Sequence, residues 1–286
     1  MDRRSSTSSM SRLKWGAIVA IAVVVAVAGW RFTRTRMPDD TIVVNAKEPV
    51  EVVRVRKALF AELQPIALAN CDLKRFGEVN DGGYLLCGNL LGAVKAGYSY
   101  GISGYDGWGC QVAKELAVKV HQYDCFDPTV PVCSGGATEF HHECVAGRPS
   151  TDDSGRRFET PAHQIAANGD AGRQLVVKID VEGAEWDTFL RSPDAVFEQI
   201  DQLVVEFHGV NEQRFVDAVK KLKRFYYVVD LHYNNYSCTT LHRPFPAWAF
   251  EVLFVSKRLG VPDESGKQAG GQALHQPNHP KLRDCQ

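Results

Sequence analysis

The chain has 286 residues, of which 44% are hydrophobic and 23% are charged, so it can bury one substantial core and has an ordinary globular composition. Its net charge of -1 hides an asymmetry, because the first 36 residues hold seven of the 33 Lys and Arg residues and one of the 34 acidic residues. The remainder carries a net charge of about -7, which argues against a partner bound through its phosphate backbone and excludes nucleic acid.

The N-terminus has the pattern of a targeting segment. A basic tail, residues 1–14, precedes an uncharged run that is rich in Ala and Val, has Trp at both ends and is followed by three arginines. We predict a transmembrane signal anchor over residues 15–32 and a juxtamembrane linker and helix over residues 33–70. The alternative is a signal peptide cleaved near Ala26, because the apolar run is slightly short for a membrane span and slightly long for a signal-peptide core.

Cysteine usage supports export of the body. Eight cysteines follow the apolar run, and no pair of them has the CxxC spacing of a zinc or redox site. An even number in an exported body predicts disulfides, reduced core cysteines being the alternative, and the sequence does not select the pairing. We therefore expect a single-pass membrane protein whose body faces the secretory lumen or the cell surface, or a secreted protein if the segment is cleaved. The cysteines are Cys71, Cys87, Cys110, Cys125, Cys133, Cys144, Cys238 and Cys285.

The body is predicted to be one domain, residues 71–259, followed by a tail, residues 260–286. A helix is predicted over residues 52–68, and an Asp-Gly-Gly turn precedes a short strand over residues 84–86. The tail is rich in Gly, Gln, His and Pro, so we expect it to be mobile unless Cys285 fixes it.

A strand, a glycine-rich loop and a helix follow one another in the order typical of a nucleotide-binding site. The strand spans residues 98–102, the loop includes Gly101 and Gly104, and the helix is predicted over residues 111–120. The loop is not a strict GxGxxG, so it supports dinucleotide binding only weakly, and a purely structural loop is the alternative.

The second strand of the sheet, which begins at Lys119, ends in acidic residues. Asp124 lies 23 positions after Gly101, about where an acid accepts hydrogen bonds from ribose hydroxyls. Asp127 is expected to start the turn at Pro128, and a turn or cap role is the alternative for either acid.

A further strand, over residues 138–145, carries two adjacent histidines. His141 and His142 would point to opposite faces of that strand, so they cannot easily share an ion. We therefore predict no metal site at these histidines.

The stretch LVVKIDVEGAEWDTFL, residues 175–190, is predicted to be a buried strand, an acidic turn and a helix. Asp180, Glu182 and Glu185 follow the strand, at the edge of an α/β sheet where ligands bind. The alternative is that these acids only begin a helix, whose positive end attracts them.

Three more strands complete the predicted sheet, over residues 202–207, 225–231 and 249–256. Glu206 and His208 share one face where the first of them ends. The second is followed by polar side chains that can face a ligand: His232, Asn234 and Asn235.

The segment KIDVEGAEWDTF resembles the signature of FkbM-like S-adenosylmethionine-dependent methyltransferases and of related secretory-pathway methyltransferase-like proteins. The segments RFGEVNDGGYLLC, YSYGISGYDGWG, YDCFDP, LVVEFH and LHYNNYSC resemble further blocks of the secretory-pathway branch. The resemblance implies a Rossmann-like, doubly wound α/β fold with the seven-stranded sheet of a class I methyltransferase. It also implies S-adenosylmethionine as the cofactor.

The resemblance also assigns cofactor contacts to matching positions. Gly101 and Gly104 would border the methionine part, Asp124 would bind the ribose with Asp127 beside it, and Asp180 would face the sulfonium end. The loop departs from the common E/DxGxGxG pattern, since Tyr100 precedes Gly101. That departure leaves the contacts of the loop open.

Methyl transfer to oxygen needs a base beside the cofactor. His208 is the first candidate and His232 the second, since imidazole titrates near neutral pH. A divalent cation held by Asp180, Glu206 and His208 is a less favoured alternative, and we predict no resident metal. The acceptor contacts are assigned to Glu182, Glu206, Asn234 and Asn235.

The expected function is O-methylation of a glycan or a small hydroxylated acceptor by a membrane-anchored enzyme. A catalytically silent binding protein with the same fold, or a Rossmann enzyme that uses NAD, is the alternative.

Overall fold

Apolar strands alternate with amphipathic helices in the computed structural model, which describes residues 48–265 and 269–285. The helices are α1 (Val50–Glu62), α2 (Gly107–Leu116), α3 (Pro161–Ala167), α4 (Glu185–Arg191), α5 (Asp194–Glu198) and α6 (Gln213–Leu222). The strands are β1 (Leu73–Gly77), β2 (Gly83–Cys87), β3 (Ala96–Tyr100), β4 (Lys119–Tyr123), β5 (Ala137–His141), β6 (Cys144–Val145), β7 (Ser150–Thr151), β8 (Arg157–Glu159), β9 (Leu175–Ile179), β10 (Ile200–His208), β11 (Tyr226–Tyr233) and β12 (Ala249–Ser256).

Within the described residues, seven strands form the central sheet in the order β11-β12-β10-β9-β3-β4-β5. The adjacent strands β10, β9, β3, β4 and β5 run parallel to one another. The strand β12 runs antiparallel to both of its neighbours, β10 and β11. This confirms the predicted α/β class and a mostly parallel, Rossmann-like sheet. Because β9 and β4 lie on opposite sides of β3, the strand order reverses at β3. Ligands bind at the carboxyl ends of the strands at such a reversal.

The sheet is covered on both faces, so its parallel strands read as continuous apolar runs. All five residues of β9 are buried. Val177 and Ile179 join a core that includes residues of α1, α4 and α6, whereas Val176 joins a second core with the β1–β2 hairpin and α2. The charged Lys178 lies on the same strand and is also buried.

Several element ends differ from the predicted ones. The helix α2 begins at Gly107, four residues before the predicted start, because the Asp106 side chain caps it and accepts the Gly109 backbone N–H at 2.7 Å. The short helix α5 and the pairing of β1 with β2 in a hairpin are features that the sequence pattern did not predict.

The eight cysteines all lie in the described part of the chain and form four disulfides, which confirms the predicted bonding and excludes a set of reduced core cysteines. Four disulfides indicate an oxidising, extracytoplasmic environment. The pairs are Cys71–Cys87, Cys110–Cys133, Cys125–Cys144 and Cys238–Cys285.

The C-terminal tail, predicted to be mobile unless Cys285 fixes it, is linked to the body through the Cys238–Cys285 disulfide. It also packs through side chains, since Asn278 is buried and His275 Nε2 lies 2.9 Å from Asp230 Oδ2. The tail therefore packs against side chains of β11 and β12.

The predicted membrane anchor, residues 15–32, lies outside the described residues. Across residues 48–265 and 269–285, no helix combines the length and the apolar character that a membrane span requires.

Candidate functional site

A cleft of about 210 Å³ opens at the carboxyl ends of β3, β4 and β9, where the strand order reverses. It brings together four residues that the sequence assigned to a ligand site, namely Gly101, Asp124, Asp180 and Glu182. The other lining residues are Ser103, Tyr123, Phe126, Cys144, Val145, Phe158, Val181 and Ala184.

Two glycines shape the loop between β3 and α2. Gly101 has a φ of +72°, and a Cβ atom added there would lie 1.6 Å from the carbonyl oxygen of Asp180. Gly104 has a φ of +75°, and its added Cβ would lie 2.9 Å from Asp127 Oδ2. Glycine is therefore required for backbone reasons at both positions. Their predicted contact with a methionine group stays a prediction.

The Asp124 carboxylate holds the glycine loop in place. Its Oδ2 accepts the backbone N–H groups of Ile102 and Ser103, and its Oδ1 accepts those of Phe126 and Asp127, all within 3.0 Å. Burial raises the pKa of Asp124, but these backbone donors outweigh burial and lower it overall.

Four donors occupy the lone pairs of both Asp124 oxygens, so a ribose hydroxyl would have to displace one of them. Asp127, in contrast, lies on the surface, where its Oδ1 accepts the Thr129 N–H at 2.8 Å and its Oδ2 faces Gly104. The ribose contact of either acid stays a prediction, and Asp127 has the more accessible carboxylate.

Asp180 stands where β9 ends, with its side chain 25% exposed. Its Oδ2 accepts the hydroxyl of Tyr84 at 3.2 Å and lies 3.4 Å from the ammonium of Lys178. Lys178 Nζ also donates to the carbonyl of Gly101 at 2.7 Å. Lys178 therefore links the glycine loop to the catalytic candidate Asp180.

His208, the first candidate base, lies at the end of β10 against a buried carboxylate. Its Nδ1 is 2.5 Å from Oε1 of Glu185, which is fully buried in the first turn of α4. An ionised carboxylate accepts only, so Nδ1 carries the proton and Nε2 presents its lone pair. The Nε2 atom faces three acids, Glu182 Oε2 at 3.6 Å, Glu206 Oε1 at 3.8 Å and Asp180 Oδ1 at 4.0 Å.

The His208–Glu185 pair changes the pKa of both partners. Burial raises the pKa of Glu185, and the bond to His208 offsets only part of this effect. Burial lowers the pKa of His208, but the bond and charge of Glu185, with the charges of Asp180 and Glu182, outweigh burial and raise it overall. The site therefore stabilises a positively charged imidazolium.

Glu206 belongs to a buried row of polar groups that crosses the sheet beside His208. It lies opposite Glu251 in the β10–β12 register, and its Oε1 accepts the amide of Asn234 at 2.7 Å. Burial, together with the charges of Asp180 and Glu251, raises the pKa of Glu206 well above its ordinary value. The neutral acid is therefore the favoured form of Glu206.

His232, the second candidate base, and Asn235 lie away from the cleft. His232 is two strands from β10, roughly 10 Å across the sheet, with its Nδ1 3.3 Å from Glu251 Oε2 and its ring 4.6 Å from that of His275. Asn235 is buried and donates to the tail carbonyls of His279 and Leu282. Their assigned roles stay predictions.

Glu182 occupies the turn between β9 and α4 in a conformation that is uncommon for a residue with a side chain. Its φ is +53°, and its side chain is 83% exposed. Non-glycine residues in this region concentrate at ligand sites. Donor atoms of Asp180, Glu182 and His208 lie within 4.8 Å of one another, so they could hold a divalent cation.

The sequence pattern missed two side chains of this site, Lys178 and Tyr84, and the pairing of a third, Glu185. Lys178 interrupts a run that is apolar and buried on both faces, where a charge needs a partner. Tyr84 follows the Asp-Gly-Gly turn in the hairpin. Glu185 was one of the acids predicted at the ligand-binding edge after β9. Its pairing with His208 could not be predicted, because it depends on where α4 packs.

Comparisons of the chain with protein-family models, with curated proteins and with solved structures find no match. The fold and the site by themselves define a disulfide-bonded, Rossmann-like α/β protein with an acidic cleft at the reversal of strand order and a histidine, His208, beside two of its acids.

Proposed function

We propose that this chain is an S-adenosylmethionine-dependent methyltransferase that methylates an oxygen of a glycan or another hydroxylated acceptor. One observation carries the proposal most directly. His208 is oriented by the buried Glu185 and turns its Nε2 towards Asp180, which lines the cleft at the reversal of strand order. In the proposed enzyme this arrangement would put a base beside the cofactor pocket, which supports the proposal.

The strand order supports the proposal. The reversed strand β12 lies between β10 and β11, next to a parallel series that continues through β9, β3, β4 and β5. This is the arrangement expected of the class I methyltransferase sheet to which the KIDVEGAEW segment points. Fold alone does not define chemistry, so the proposal rests on the cleft as well.

The cleft offers groups that fit the parts of S-adenosylmethionine. Phe126 is 67% exposed and lies with Phe158 and Val145 in the cleft, where apolar surface suits an adenine ring. Asp127 offers a carboxylate for ribose hydroxyls beside the loop, and Asp180 offers a negative charge for the cationic end. The cofactor supplies an activated methyl group, and the protein supplies binding, orientation and proton removal.

The proposed chemistry assigns one proton to His208. S-adenosylmethionine, when bound, would supply the methyl group to the acceptor oxygen, and its sulfur would keep the electron pair of the broken carbon–sulfur bond. The hydroxyl proton passes to His208 Nε2, and Glu185 stabilises the resulting imidazolium through Nδ1. Asp180 and Glu182 border the same face and would orient the acceptor.

Location and charge support the proposed acceptor class. The disulfides indicate an extracytoplasmic environment, and the groups around His208 Nε2 are carboxyls that accept hydrogen bonds from hydroxyls. A polyhydroxylated glycan or a small hydroxylated molecule suits this arrangement better than an anionic acceptor does. We place the body outside the cytosol, anchored through residues 15–32 or released after cleavage.

A cation-dependent form of the same reaction is a second candidate, favoured by the clustering of Asp180, Glu182 and His208. A divalent ion there would orient and acidify the acceptor hydroxyl, and His208 would then be a ligand and not a base. The ammonium of Lys178, 3.4 Å from Asp180 Oδ2, already supplies positive charge at this point and disfavours the ion. Added Mg²⁺ or Mn²⁺ should therefore leave the rate unchanged, and EDTA should not abolish it.

Calorimetric titration of the full chain with S-adenosylmethionine tests the proposal first. Binding that S-adenosylhomocysteine blocks and NAD does not block supports it, whereas absence of binding to the folded chain overturns it. Competition by NAD alone supports the NAD-type alternative.

Transfer of labelled methyl groups to a panel of glycans and small hydroxylated compounds tests catalysis. We expect His208→Ala to keep cofactor binding and lose transfer by roughly 10²- to 10⁴-fold, with the exposed His163→Gln as control. Cofactor binding without transfer to any acceptor supports the silent binding protein.

A further inference from the structure

A second cluster of metal-ligating side chains lies on the outer part of the sheet, and the mechanism proposed above does not use it. It consists of His121 on β4 with Glu139 and His141 on β5, and we call it the edge cluster. We propose that the edge cluster is a zinc-class metal site, with His121 Nδ1, His141 Nε2 and a Glu139 carboxylate oxygen as ligands.

The register of two parallel strands creates the edge cluster. His121 lies opposite Glu139, and Tyr123 lies opposite His141. Residues two apart on a strand share a face, so the three ligating side chains project from the same face. Adjacent histidines such as His141 and His142 do not meet this condition, which is why the sequence pattern alone argued against a metal here.

The donor atoms are close enough for one ion. His121 Nδ1 lies 3.0 Å from His141 Nε2 and 3.9 Å from Glu139 Oε2, and the three donors lie within 4.8 Å of one another. Zinc with bonds of about 2.1 Å and tetrahedral angles places two nitrogen ligands about 3.4 Å apart. A small rotation of either imidazole would therefore admit the ion.

His121 faces a buried carboxylate on the side away from the edge cluster. Its Nε2 lies 3.4 Å from Oδ2 of Asp170, which is 2% exposed and also accepts the hydroxyl of Tyr98 at 2.9 Å. A carboxylate on the far nitrogen of a histidine is the usual support of a zinc ligand, because it fixes the tautomer and the ring. His121 turns its other nitrogen, Nδ1, towards the edge cluster.

The protonation states suit ligation. Burial lowers the pKa of His121, the neighbouring His141 adds to this effect, and the charges of Asp170 and Glu139 oppose it only in part. Burial also lowers the pKa of His141. Burial therefore favours the neutral imidazole, which is the form that binds metal.

The ligand set indicates the class of ion. Two imidazoles and one carboxylate suit zinc and its neighbours among the divalent transition metals, whereas magnesium and calcium prefer oxygen ligands. Lys119 Nζ lies 2.9 Å from Glu139 Oε2 and occupies that oxygen in the metal-free arrangement. Its side chain is 55% exposed, so it can turn into solvent when an ion binds.

The edge cluster adjoins the cleft, and its metal would stabilise one wall. Tyr123 lines the cleft and stacks on the His141 ring at 4.5 Å, and Asp124 donates its backbone N–H to the His141 carbonyl. A metal that joins β4 to the edge strand β5 would therefore hold the strand end that carries Asp124. Binding should raise the unfolding temperature as well as order the cleft.

Titration of the metal-stripped full chain with ZnCl₂ tests the proposal, with bound metal counted by elemental analysis. We expect His141→Ala to lose at least tenfold in zinc affinity. Glu139→Gln, which changes an exposed side chain, should lose at least tenfold as well. His142→Ala on the opposite face and Glu182→Gln at the cleft serve as matched controls and should keep it.

Cobalt substitution and thermal unfolding give readouts that do not depend on activity. Retained zinc binding in both ligand variants, or absence of zinc binding by the folded chain, overturns the proposal and leaves a direct hydrogen bond between His121 and His141. Loss of zinc affinity in Glu182→Gln but not in Glu139→Gln also overturns it, because the ion would then lie at the cleft.

Discussion

Nδ1 of His208 lies 2.5 Å from Oε1 of Glu185, and the exposed fraction of Glu185 is 0%. A fully buried carboxylate is costly to ionise without a partner, so its pairing with a histidine at a strand end indicates a role beyond packing. The pair gives His208 a defined tautomer and directs its free nitrogen to the acidic cleft.

Glu185→Gln tests this pairing through the pH dependence of transfer. The base acts in its neutral form, and its pKa is raised in the folded protein, so the rate should increase as the pH rises through a value above 6.5. The amide removes the charge that raises the pKa of His208, so the increase in the transfer rate of the variant should occur at lower pH. Its maximal rate should fall about 100-fold or more, because the imidazolium loses its partner.

The matched control for this change is Glu198→Gln, an exposed acid at the end of α5. It should leave both the rate and the pH profile unchanged. A Glu185→Gln profile that coincides with that of the parent chain contradicts the proposed role of the pair.

Asp180→Ala should abolish methyl transfer while the fold persists, because this carboxylate stands at the cleft and is partly exposed. Transfer assays and circular dichroism measure the two effects, and Asp153→Ala on an exposed loop is the control. Full activity of Asp180→Ala refutes its assignment to the site.

Lys178→Met should weaken cofactor binding. The buried ammonium donates to the Gly101 carbonyl and lies beside Asp180, so its loss frees the loop and leaves that carboxylate without its cation. Hydrogen bonds to charged groups contribute about 1.5–3 kcal/mol, which corresponds to roughly a 10- to 100-fold loss of affinity. Calorimetry measures this loss, and the exposed Lys114→Met should bind as the parent does.

The Cys238→Ala/Cys285→Ala double variant tests the contribution of the tail. The bond joins residues 47 positions apart, and its removal should lower the free energy of unfolding by about 2–4 kcal/mol. Denaturant unfolding under non-reducing conditions measures the change, and limited proteolysis should cut the tail of the variant first. If the double variant and the parent chain have the same free energy of unfolding and the same resistance to protease, side-chain contacts alone hold the tail.

Much of the architecture was predictable because it depends on local pattern. Apolar runs of strand length, separated by helical periodicity, indicated the seven strands of the sheet, and the even number of cysteines indicated disulfides. The acids after β9 could be placed at a ligand-binding edge, because the carboxyl ends of parallel strands meet there. The order of strands and helices along the chain is enough to predict the class of fold and the edge at which the strand ends lie.

Tertiary structure alone decided which side chains meet. The pairing of Glu185 with His208 joins residues on α4 and β10, and the edge cluster depends on the register between β4 and β5. Neither is encoded in sequence spacing, because helix packing and strand register set the distances between segments far apart in the chain. The sequence by itself therefore determined the class of fold and the edge of the sheet that carries the site. Packing determined which histidines and which acids stand together, both beside the cleft and in the edge cluster.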